Sequence, residues 1–72
     1  MQEYSRIIIE EYCSNHDSKK SRQLKRLVEM SYDRYCEGTE EDAAILVNLI
    51  SIEKDTELKE AIIDLEDYIF PV

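Results

Sequence analysis

The sequence predicts an all-α fold, a small antiparallel bundle of about four short helices, and three observations carry that expectation. Apolar residues recur at three- and four-residue spacing rather than alternating. Each segment boundary carries helix-capping residues, and one glycine and one proline leave few places for tight turns. Seventy-two residues make a single helical domain, 1–72, near the lower size limit at which one hydrophobic core outweighs chain entropy. With 43% hydrophobic and 36% charged residues, the chain belongs to the globular rather than the disordered class.

The first helix is expected over about residues 2–14. Its run Ile7-Ile8-Ile9 also suits a strand, but Tyr4, Ile8 and Tyr12 recur every four residues, and no second strand candidate exists to pair with it. The polar stretch 14–18 ends it, with Asp17 or Ser18 placed to cap a second helix over about 18–37. There Leu24, Leu27, Val28, Ser31 and Tyr35 form one stripe, while Lys19, Arg22, Lys25 and Arg26 lie opposite. Gly38 reads as the residue that closes this helix. Thr39 caps the third helix, about 40–53, with Asp42 in the capping-box position and Glu40 and Glu41 favourable to the helix dipole. Asp55 or Thr56 caps the fourth, about 56–69, which Pro71 ends.

Helix 4 is amphipathic: Leu58, Ala61, Ile62, Leu65 and Ile69 make the core stripe, and Glu57, Glu60, Asp64 and Asp67 an acidic one. Helix 3 differs. Ala43, Ile45, Leu46, Val47, Leu49, Ile50 and Ile52 cover most of its circumference, leaving Ala44, Asn48 and Ser51. A helix apolar on nearly all sides is buried on nearly all sides, so helix 3 is expected either at the centre of the bundle or at a homodimer interface.

Chemistry is sparse. The lone His16 falls in a loop, and the paired carboxylates that can be placed lie on solvated faces, so no catalytic centre is expected. Cys13 and His16 have a C-x-x-H spacing, but a structural zinc needs four ligands, and Cys36 would lie roughly 25 Å away at the far end of a helical hairpin. No metal and no cofactor are expected, and two cysteines without a secretory leader suggest reduced thiols. Neither a signal peptide nor an apolar run of membrane-spanning length stands out, which makes the expected setting cytoplasmic.

Charge is distributed unevenly. Residues 1–17 carry a net −3, residues 18–36 a net +4 and residues 37–72 a net −9, within an overall −8. A net negative protein repels phosphate at long range, and helix 3, reached by a short turn, has few polar side chains for base edges. Direct nucleic-acid binding would rest on Lys19, Lys20, Arg22, Lys25 and Arg26 alone. Protein binding fits better, because a dense acidic face steers basic partners and tyrosine anchors interfaces. The expected function is therefore a small acidic binding module that inhibits or regulates a basic protein such as a nuclease, a toxin or a nucleic-acid-binding complex. Its face would be Glu57, Glu60, Asp64, Asp67 and Tyr68, with Glu40, Glu41 and Asp42 adding to it. The alternative makes the basic face of helix 2 the working surface, with Lys19, Arg22, Lys25, Arg26 and Met30, whose apolar side chain has no core to join there. Basic and acidic faces of two copies could also meet, which would give a homodimer.

Overall fold

The computed structural model describes residues 1–33 and 37–71; the expectations for Tyr35 on the second helix's stripe and Cys36 at its end lie outside the described residues. Four helices follow in order: α1 (Glu3–Asn15), α2 (Lys19–Met30), α3 (Glu40–Ile52) and α4 (Thr56–Ile69). No strand occurs among the described residues, and Ile7-Ile8-Ile9 lies within α1. The helices pack into a body of 28 × 22 × 20 Å.

Local chemistry sets the helix starts. The Ser18 hydroxyl accepts the Ser21 amide and the Ser21 hydroxyl accepts the Ser18 amide, a reciprocal cap at the head of α2. Thr39 and Asp42 make the same exchange at α3, with both bonds at 3.1 Å. Asp55 heads α4 by accepting from the amides of Glu57 and Leu58 at 3.0 and 3.3 Å.

The core is one cluster. Ile9 of α1, Leu24, Leu27 and Val28 of α2, Leu46 and Leu49 of α3, and Leu58, Ala61, Ile62, Leu65 and Ile69 of α4 are buried together. The α2 and α4 stripes thus face inward as their spacing indicates. On α1 the stripe is turned by one position: Ser5 and Ile9 are buried, while Tyr4 is 62% exposed.

Three expectations about α2 fail. The helix ends at Met30, not near 37: the amides of Ser31, Tyr32 and Asp33 donate to the Val28, Glu29 and Met30 carbonyls in tighter turns, and Arg6 of α1 takes the Ser31 carbonyl that follows. The guanidinium donates from Nη2 to the Ser31 carbonyl at 2.9 Å and from Nε to the Ser31 hydroxyl at 3.1 Å. A cation at a helix C-terminus also complements the dipole. Gly38 therefore does not close α2, and no glycine has positive φ. It is needed for space: a Cβ there would stand 2.1 Å from Phe70 Cζ and 2.7 Å from Ile69 Cγ2. Met30, expected on the outward face, instead packs against the core.

Helix α4 occupies the centre, touching all three others, while α3 packs on α4, touches α2 sparsely and makes no packing contact with α1. The monomer-centre alternative for α3 does not describe this arrangement. Its outer surface includes Val47 and Ile52, both more than half exposed.

Candidate functional site

Two polar surfaces were legible as candidates, and the fold treats them differently. Two of the five cations on the basic segment of α2, Lys20 and Arg26, are engaged by carboxylates inside the molecule, while Lys19, Arg22 and Lys25 stay exposed. Arg26 Nη2 donates to Asp42 Oδ1 of α3 at 2.5 Å, and the Asp42 side chain is 6% exposed. Lys20 pairs with Glu53, just past the end of α3, and that carboxylate is 7% exposed. Arg22 reaches Asp17 at 3.2 Å, but both groups are open to water, and such pairs contribute little. Lys19 and Lys25 remain without an ion-pair partner among the described residues. Asp42, expected as a possible extension of the acidic face, is likewise withdrawn into the fold.

These contacts shift the titration of their members. The hydrogen bond from Arg26, together with those from Thr39, outweighs burial and holds the Asp42 carboxyl below its ordinary range. Burial alone would raise Glu53, but the hydrogen bonds from Lys20 and the Asp55 amide more than offset it and lower its pKa. Burial likewise works against the Lys20 charge, and the Glu53 partner overcomes it, so that ammonium titrates above its usual value.

The acidic face of α4 remains on the surface. Glu57, Glu60 and Asp67 are exposed and Asp64 is half-buried, as the stripe implies. Packing of α1 alongside converts this stripe into one wall of a groove. The Gln2 amide donates to Asp64 Oδ2 at 3.0 Å and the Tyr4 hydroxyl to Glu57 Oε2 at 3.2 Å, so the two helices run antiparallel with their polar edges joined. That acceptor pushes the Tyr4 phenol above its ordinary pKa.

The groove consists of two adjoining hollows of about 290 and 190 Å³ that share Ile8 and Glu57. Glu60, Asp64 and Asp67 line the first, while Glu11 and Asp55 line the second. No lysine or arginine lines either hollow. Ile8, Ala61, Ile63 and Tyr4 also line the first, so apolar surface stands beside the carboxylates. Four of the five residues expected on the acidic face thus meet here. Tyr68, 36% exposed, does not line the groove.

Sequence reasoning missed Tyr4, Ile8 and Ile63 as members of this surface. Tyr4 and Ile8 entered only as a four-residue recurrence that marks a helix, and an isolated exposed isoleucine carries no signal of its own. A third hollow, about 370 Å³, lies between α1 and α2 and is lined by Glu10, Cys13, Lys25, Glu29 and Tyr32 among others. Cys13 there donates to the Ser21 carbonyl at 3.3 Å, and burial raises its thiol pKa, which makes it a poor nucleophile. His16 stacks on Tyr12 with ring centres 4.1 Å apart, and its Nδ1 lies 2.9 Å from the Tyr12 carbonyl.

No helix among the described residues is long and apolar enough to cross a membrane. Compared with known proteins, the chain matches no family model, no curated protein and no solved structure.

Proposed function

We propose that this protein is a small, non-enzymatic, cytoplasmic binding module that inhibits or regulates a basic partner protein docked in the α1/α4 groove. A nuclease, a toxin or a nucleic-acid-binding complex has the required surface charge. One observation carries the reading: carboxylates, and no lysine or arginine, line two adjoining hollows, the first of which also has Ile8, Ala61 and Ile63 in its lining. Acidic walls steer and orient a cationic partner, whereas affinity comes from an apolar anchor that desolvates against the apolar lining. From Glu57 to Asp67 the acidic wall extends about 15 Å at 1.5 Å per residue. That length suits roughly three turns of a basic helix carrying an aliphatic side chain between lysines or arginines.

The test uses a synthetic amphipathic peptide with lysines on one face and leucines on the other. The paired substitution Glu60→Lys and Asp67→Lys lies on exposed positions of the same wall and should leave the fold intact. It is expected to weaken binding at least about tenfold at low salt, with the difference shrinking as salt screens the walls. Equal affinity for both proteins rules the groove out. The companion proposal, a homodimer through the outer face of α3, is read by sedimentation at several protein concentrations.

A further inference from the structure

Two cations of the basic segment 18–26 reach across to α3. Helix α3 packs on α4 and only sparsely on α2: it contributes Leu46 and Leu49 to the core, leaves Val47 and Ile52 largely in water and makes no packing contact with α1. Its few contacts with α2 are supplemented at both ends by ion pairs. Arg26, near the end of α2, holds Asp42 in the first turn of α3, and Lys20, at the start of α2, holds Glu53 just beyond its last turn. Both carboxylates are nearly buried, while both cations keep some access to water.

We propose that Lys20 and Arg26 form a two-point electrostatic latch that holds α3 on the bundle, so that α3 opens as a unit when either pair is neutralised. Three features distinguish a latch from ordinary surface ion pairing. The carboxylates have been taken out of water, so losing the cation strands a charge and favours rehydration of that end of the helix. Asp42 also forms half of the α3 capping box, so its neutralisation weakens the helix start and the inter-helix tie together. The pairs sit at opposite ends of α3, so each restrains an end that frays when free.

The groups facing the latch are few. Asp42 meets Arg26 from α2 and Thr39 from its own cap. Glu53 meets Lys20 from α2, the Asp55 amide and, opposing them, the Asp55 carboxylate, and the Lys20 ammonium also lies 4.8 Å from the centre of the Tyr12 ring of α1. Acid protonates the two carboxylates and opens the latch.

Residue-resolved amide hydrogen exchange on the full chain tests this. In Arg26→Gln and Lys20→Gln, amides of residues 46–50 should exchange at least about tenfold faster than in the wild type, with α1 and α4 amides changing by less than about threefold. For the wild type, after correction for intrinsic exchange rates, lowering the pH should release α3 before α4. Equal acceleration in all four helices, or none in α3, overturns the latch. Should a variant fail to fold, the wild-type acid series decides the matter by the same two outcomes.

Discussion

Replacing Gly38 with alanine adds one methyl group where the connector into α3 crosses the end of α4. The new Cβ would lie 2.1 Å from Phe70 Cζ, about 1.3 Å short of the 3.4 Å at which ordinary contact begins, and 2.7 Å from Ile69 Cγ2. The Phe70 ring tip can swing, but Ile69 is 5% exposed and has little room. Overpacking of this kind costs about 1–3 kcal/mol. Because Gly38 does not use positive φ, alanine gives back about 0.4–1 kcal/mol by restricting the unfolded chain. Steric overlap wins, leaving a net loss of about 0.5–2 kcal/mol. For a domain of this size that lowers Tm by about 3–12 °C, measurable by thermal and urea unfolding followed by circular dichroism. Phe70→Leu removes the ring tip and should reduce the cost of Gly38→Ala in a double-mutant cycle. An unchanged or raised Tm for Gly38→Ala, or full additivity with Phe70→Leu, would refute the reasoning.

Two further outcomes follow from the ion pairs and caps. Arg6→Ala strands the Ser31 carbonyl at the end of α2 and should cost about 1–3 kcal/mol in urea unfolding; Arg6→Lys, which lacks the fork that reaches both Ser31 oxygens, should recover only part of it. The Asp42 and Glu53 pKa values are lowered in the folded state, so their stabilisation is present above the unfolded carboxylate range, near pH 4, and is lost as pH falls through the folded values. Asp42→Asn should therefore be less stable than the wild type at pH 7, and the gap should close in acid; a gap that persists at pH 2 would contradict the assignment.

What could be read from the sequence was what local chemistry decides. Helix α4 starts and stops where its cap and Pro71 place it, and Leu58, Ala61, Ile62, Leu65 and Ile69 are all buried as their spacing requires. The Thr39–Asp42 exchange was visible as a four-residue pattern. Contacts between distant residues were not visible. Nothing near Ser31 announces that an arginine twenty-five positions earlier binds its carbonyl, and the charges of Lys20 and Arg26 gave no sign that carboxylates of the acidic half would claim them. The same limit applied to the groove. The acidic stripe followed from spacing, but the apolar lining beside it depends on how α1 turns about its axis, and a rotation of one residue moved Tyr4 outward and Ser5 inward.

The most direct measurement of the central claim is a chemical-shift titration of the labelled chain with the amphipathic lysine–leucine peptide and, separately, with a heparin oligosaccharide. The account expects the peptide to shift Tyr4, Ile8, Glu60, Ile63 and Asp64 together, with heparin leaving them unmoved. Peptide shifts scattered over the whole surface, or a stronger response to heparin centred on Lys19 and Lys25, would contradict it.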